Sequence, residues 1–211
     1  TIFVNPTQFG PQEDLANYPR VLDRDLGLLL GEGADLVFVP PVEEIYPPGF
    51  DTWVQAGALA ERLEGAHRPG HFRGVTTVLN KLFNLVVPDQ AYFGQKDGQQ
   101  TLVVRQLARD LDMGLEIVVV PTVRDADGLA LSSRNVYLTA EERRAAPVIY
   151  RALCRAQELR NQGVRDCNRL RQEVEDVLLE EHLVRRIEYV SVAAAENLEE
   201  LVEVNGPAMV S

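Results

Sequence analysis

Apolar residues along this 211-residue chain fall into two rhythms. Short runs rich in β-branched and aromatic side chains occur at 2–4 (IFV), 36–39 (LVFV), 90–93 (QAYF) and 117–120 (IVVV). Between them, helical patterning covers 21–31, 70–86 and 97–111. The first rhythm predicts buried strands and the second amphipathic helices. Alternation at this spacing predicts βα units and a parallel sheet covered on both faces. Gly31 and Gly33 close the first helix, and Pro88 stops the second.

The pattern changes after Pro121. Residues 123–135 are polar, with Asp127-Gly128 as a turn signal. Thr139 followed by Glu142 is a capping box that opens a helix, and helical segments continue to about 184. Residues 187–192 (IEYVSV) alternate and predict a strand with one wet face. The expected division is therefore an α/β domain over 1–122 and a smaller α+β domain over 123–211. The chain opens on a buried-type strand and stops as another begins, which reads as a segment of a longer protein.

Composition narrows the function classes. The chain is 45% hydrophobic and 25% charged, an ordinary globular balance. A net charge of −11 argues against a general nucleic-acid surface. No apolar run approaches the roughly 20 residues of a membrane span, and no charged stretch leading into an apolar run opens the chain. Cys154 and Cys167 have no metal-binding spacing and suit burial in helices in a reducing cytosol. Cations are the scarce resource: of 21 Lys and Arg residues only Lys81 and Lys96 are lysines.

Lys96 sits in AYFGQKDGQQ (91–100), a strand end, a glycine turn and a helix start. Helix N-terminal N–H groups at such a corner bind anions, and Gly94 lets a ligand approach the backbone. Asp97 and Gln100 read equally as the N-cap and third position of a capping box. Asn5 to Gly10 follows the first strand, where amides face the ligand crevice of a parallel sheet. Leu131-Ser132-Ser133-Arg134 offers hydroxyls and a guanidinium suited to phosphate, or else a capped surface loop. His67 and His71 cannot share a helix face across Pro69-Gly70, which disfavours zinc; Arg68, His71 and Arg73 could instead form a cationic rim for a carboxylate, although their spacing alone does not favour it. There is no Walker A motif, GxGxxG or Gly-x-Ser-x-Gly, which disfavours P-loop kinases, dinucleotide dehydrogenases and α/β-hydrolases.

Four segments together resemble the pantothenate synthetase (pantoate–β-alanine ligase) family: IFVNPTQFGPQEDLANYPR at 2–20, LEGAHRPGHFRGVTTV at 63–78, AYFGQKDGQQ at 91–100 and PTVRDADGLALSSRNVYL at 121–138. The resemblance implies a Rossmann-like nucleotidylyltransferase domain, carrying nucleotide and pantoate, with a smaller C-terminal domain that carries the loop closing on ATP. It implies ATP-dependent joining of pantoate to β-alanine through a pantoyl-adenylate, with AMP and pyrophosphate released and Mg²⁺ assisting. It places Gln8 and Gln100 on pantoate, with Gln8 also near β-alanine. It places Gly94, Gln95, Lys96 and Asp97 on ATP, the backbone of Val123 at the adenine, and Leu131, Ser132, Ser133 and Arg134 in the loop over the triphosphate. Lys96 and Arg134 are the expected catalytic cations; metal ligands are not implied. A cytoplasmic homodimer is the expected state.

Two departures stand out. The family's His-x-Gly-His motif precedes the strand that opens this chain, so residues 1–211 alone are expected to be inactive and to expose a sheet edge. The lysine turn usually reads Gly-Glu-Lys-Asp-Tyr-Gln-Gln, whereas here Gln95 and Gly98 differ. The competing expectations are another nucleotidylyltransferase-fold enzyme activating a different acid, or an inactive ligand-binding fragment.

Overall fold

The computed structural model describes all 211 residues. Its helices are α1 (Leu22–Gly31), α2 (Val42–Ile45), α3 (Glu64–His67), α4 (His71–Val86), α5 (Gly98–Asp110), α6 (Ala140–Ala145), α7 (Val148–Asn161) and α8 (Cys167–Leu179). Its strands are β1 (Gln90–Gly94), β2 (Glu116–Val120), β3 (Val192–Ala194) and β4 (Ala208–Val210). No helix is long and apolar enough to cross a membrane. The chain divides into two compact units that exchange segments along β1, α5 and β2. Residues 1–91 and 103–117 form the first, and 92–102 and 118–211 the second.

In the first unit α4 is the organising helix. Gly70 takes a left-handed conformation (φ 86°) that turns the chain into it, and Val87, also left-handed, ends it just before Pro88. Its buried residues include Phe72, Val75, Thr76, Val78 and Phe83. The two buried threonines on it are satisfied: Thr76 Oγ1 donates to Val54 O at 2.6 Å, and Thr77 Oγ1 accepts from Val54 N at 3.0 Å. Buried hydroxyls persist only when so paired.

β1 and β2 pair as a two-stranded sheet. Glu116 N donates to Asp89 O at 2.9 Å, and Gln90 Nε2 to Glu116 Oε2 at 2.7 Å. Adjacent N-terminal ends make the pair parallel, with α5 as its crossover. The expected strands at 2–4 and 36–39 differ: Ile2 N donates to Phe38 O at 2.9 Å, but neither segment joins a sheet. Apolar local composition permits a strand; only a continuous ladder of paired backbone groups makes one.

The second unit packs α7 and α8 over the antiparallel pair β3–β4. Leu159, Cys167, Leu170, Val192 and Val204 form one core, and Ala152, Ala156 and Val174 another. Val192 faces Val210, and Ser191 and Ser211 exchange backbone bonds at 2.7 and 3.1 Å. The strand expected at 187–192 is thus displaced towards the C-terminus, because the register with 208–211 selects which residues pair. Burial raises the Cys167 thiol above its ordinary range and keeps it protonated.

Candidate active site

Gln8 lies in the first unit, on a single 3₁₀ turn, Pro6–Gln8. Pro6 presets the helical φ, and Asn5 caps the turn. Asn5 is only 3% exposed, and both polar atoms of its side chain are bonded. Its Oδ1 accepts from Thr7 Oγ1 (2.9 Å), Thr7 N (3.3 Å) and the Tyr46 hydroxyl (2.8 Å). Its Nδ2 donates to Gly74 O and to Gln8 Oε1, both at 3.1 Å. The last bond fixes the Gln8 amide, whose NH₂ group remains as a donor for a ligand. Burial raises the Tyr46 phenol, which stays a hydrogen donor. The sequence placed Asn5 among the amides after the first apolar run without a role of its own; the structure makes it the residue that holds the Gln8 side chain.

Lys96 and Gln100 lie in the second unit, where a 3₁₀ turn, Gln95–Asp97, joins β1 to α5. Gly94, Gln95, Lys96 and Asp97 are all exposed, Lys96 Nζ standing 3.5 Å from Asp97 Oδ1. α5 begins at Gly98, which puts Asp97 directly before the helix and Gln100 at its third position, the places the capping-box reading assigns them. Gln100 is half-buried in the first turn of α5. A Cβ on Gly98 would stand 2.7 Å from Met209 Sδ. Glycine at this position is therefore matched to the neighbouring methionine.

The second unit also holds the Val123 and Leu131–Arg134 segment. Leu131 N donates to Val123 O at 2.9 Å, Arg124 bridges to Ala130, and Gly128 (φ 94°) makes the tip of the hairpin. Two of the expected ATP residues, Val123 and Leu131, are thereby brought side by side. Ser132 caps the 3₁₀ turn Ser133–Tyr137 by accepting from Arg134 N at 3.3 Å. Asn135 Nδ2 donates to Ala130 O at 3.0 Å. Arg143 clasps the hairpin from α6 through Asp125 (2.9 Å) and Asp127 (2.5 Å), and the Arg124 guanidinium lies 4.3 Å from the Tyr150 ring centroid. The capping box on α6 forms as expected. A cleft of about 610 Å³ in this unit is lined by Arg124 and Tyr150 and, of the expected ATP residues, by Gln95 alone. The rest of its wall mixes Leu170, Val192 and Val204 with Gln157, Arg160 and Asn161.

The candidate cationic rim does not form as such. All five N–H groups of Arg68 are engaged within the protein, by Glu13, Glu64, His71 and Gln8. Arg73 lies over Trp53 at 4.7 Å. A guanidinium with two carboxylate partners has neither spare charge nor spare donors for a substrate. No cluster of three or more His, Cys, Asp or Glu side chains is disposed to hold a metal ion.

The family model for pantoate-beta-alanine ligase matches residues 1–211. The pantothenate synthetase of Chloroflexus aurantiacus is 63% identical over 201 residues, 95% of this chain and 71% of that protein. A crystal structure of pantothenate synthetase from Thermus thermophilus superposes with a TM-score of 0.94 at 51% identity, covering 98% of this chain and 75% of that one. The pantoate-beta-alanine ligase of Francisella tularensis, solved with beta-gamma ATP and β-alanine, matches at 37% identity and TM-score 0.70, over 83% of this chain and 66% of its own. The architecture is the α/β nucleotidylyltransferase type. Agreement of sequence over the whole length and of backbone to that degree leaves one assignment: the chain belongs to the pantoate-beta-alanine ligase family.

Proposed function

We propose that Gln8 and Gln100 hold pantoate, that the 94–97 turn and the 131–134 loop hold ATP, and that Lys96 and Arg134 carry the catalytic charge. As a member of its family the chain is an ATP-dependent ligase joining pantoate to β-alanine. The observation that carries the assignment of roles is the corner at Lys96. There the only lysine outside α4 stands on a 3₁₀ turn between the end of a parallel strand and the N-terminus of α5.

The chemistry asks for positioning and charge neutralisation. A pantoate carboxylate oxygen attacks the α-phosphorus of ATP, the bond to the β-phosphate breaks, and pyrophosphate leaves. The β-alanine nitrogen then attacks the acyl carbon of the adenylate. AMP departs with the former carboxylate oxygen, and the nitrogen loses a proton. Negative charge grows on the phosphates in the first step, where Lys96 and Arg134 act best if preorganised. Neutral amides at Gln8 and Gln100 grip the pantoate hydroxyls without competing for its carboxylate. Gln8 also approaches β-alanine, and the Val123 backbone meets the adenine. Mg²⁺ held by the ATP phosphates would supply further charge neutralisation beside Lys96 and Arg134. A cytoplasmic homodimer, on the strength of the family resemblance, completes the proposal.

The test is acid-dependent ATP–pyrophosphate exchange by the full-length gene product with pantoate and other hydroxy acids. Exchange with pantoate supports the reading. Exchange only with another acid reassigns the substrate and leaves the Lys96 corner intact.

A further inference from the structure

Two side chains outside the proposed chemistry converge on the Gln8 carbonyl. His71 Nδ1 lies 2.8 Å from Gln8 O, and Arg68 Nη2 lies 3.4 Å from it. A carbonyl only accepts, so His71 carries its proton on Nδ1 and presents the Nε2 lone pair. That lone pair faces Arg68 Nη1 at 3.4 Å. The guanidinium is aimed by carboxylates: Nε and Nη2 bind Glu13 at 2.8 and 2.5 Å, and Nη1 binds Glu64 at 3.0 Å. Burial, reinforced by the Arg68 charge, pushes His71 below the usual imidazole range, in keeping with the neutral tautomer that this geometry requires. The Arg68 bond holds Glu13 below the usual carboxylate range.

The cluster sums to two carboxylates against one guanidinium, so it does not attract an anionic substrate. What it does is hold a backbone. Gln8 is gripped at both ends, its carbonyl by Arg68 and His71 and its side-chain oxygen by Asn5. The remaining amide NH₂ can then point only one way.

We propose that Arg68, Glu13 and His71 are positioning residues for the acid substrate, acting by locking the Gln8 backbone so that its amide meets a hydroxy-acid ligand in one orientation. The inference rests on the reading of Gln8 as a pantoate ligand. Arg68 is central because its fork reaches Glu13, His71 and Gln8 at once; lysine keeps the charge but not the fork.

The experiment is a coupling cycle on the full-length gene product, using Gln8→Ala, Arg68→Lys and the double variant. Pantoate and ATP affinities are read by calorimetry, and KM and kcat by steady-state kinetics. Arg68→Lys is expected to weaken pantoate binding about tenfold, the scale of one mis-set hydrogen bond, with ATP affinity within about twofold. In the Gln8→Ala background the same change is expected to add nothing, because its only route to pantoate is gone. Unchanged pantoate affinity in Arg68→Lys, or a full additive loss in the double variant, overturns the positioning role. Unchanged pantoate affinity in Gln8→Ala overturns the assignment of Gln8 itself. Should Arg68→Lys not fold, Glu13→Gln, which removes the aiming charge at equal size, is read by the same criteria.

Discussion

Replacing Gly74 by alanine drives a methyl group into the backbone of the turn that carries Gln8. A Cβ at this position stands 2.4 Å from Thr7 O, 2.6 Å from Thr7 C and 2.7 Å from Gln8 N. All three are backbone atoms, so no side chain can swing aside. Moving Thr7 O from 2.4 Å to an ordinary 3.4 Å contact requires a displacement of about 1 Å. Overpacking of this kind costs roughly 1–3 kcal/mol. Alanine returns about 1 kcal/mol through its better helix propensity, leaving about 0–2 kcal/mol of net destabilisation. The functional effect is larger, because a reacting group misplaced by about 1 Å can cost on the order of 10²-fold in rate. Gly74 O also anchors Asn5 Nδ2, so the displacement disturbs the Gln8 amide as well. Gly27 is the control: it lies within α1 with nothing within 4 Å, and Gly27→Ala is expected to stabilise by roughly 0.5–1 kcal/mol without kinetic effect. The assays are urea unfolding and pantoate kcat/KM on the full-length gene product. Gly74→Ala with parental stability and parental kcat/KM would refute the close-approach argument.

Lys96→Ala is expected to lower pantoate-dependent pyrophosphate release by roughly 10²–10³-fold, as for loss of one preorganised donor; near-parental release would remove Lys96 from the chemistry. Gln100→Ala is expected to weaken pantoate binding and leave ATP binding unchanged. A capping role alone predicts instead a stability loss of about 0.5–2 kcal/mol with pantoate affinity intact, and calorimetry beside thermal unfolding separates the two. His71 is held neutral in the fold while the unfolded chain takes up a proton near pH ~6.5, so its contribution to stability is complete above that pH and is lost as pH falls below it. Chemical denaturation between about pH 7.5 and 5.5 should show a steeper fall in the parent than in His71→Asn, and parallel curves would contradict the buried neutral imidazole.

What the sequence disclosed was local. The Thr139–Glu142 box needs only residues three apart, and it forms with both its bonds. The Lys96 corner was readable because strand, glycine turn and helix start are contiguous, and α4 because its pattern runs unbroken from His71 to Val86. Partners distant in the chain were invisible. Arg68, His71 and Arg73 look like a free cationic rim until Glu13, 55 residues before Arg68, takes the guanidinium. The burial of Asn5 depends on a carbonyl 69 positions away. The strand at Val192–Ala194 formed where it did because its register is set by Ala208–Val210, which local alternation does not encode. The substrates came from family resemblance; no physical reading of the residues alone names pantoate.

The proposed roles of Lys96 and Arg134 all depend on activation of pantoate as an acyl-adenylate. The direct measurement uses pantoate labelled with ¹⁸O in its carboxylate, together with β-alanine, ATP and the full-length gene product, with the products read by mass spectrometry. The expected products are AMP carrying one ¹⁸O atom, unlabelled pyrophosphate, and pantothenate with a single ¹⁸O in its new amide carbonyl. Formation of ADP with the label in inorganic phosphate would contradict adenylate activation, since that places the carboxylate attack on the γ-phosphorus and leaves the proposed roles of Lys96 and Arg134 without their reaction.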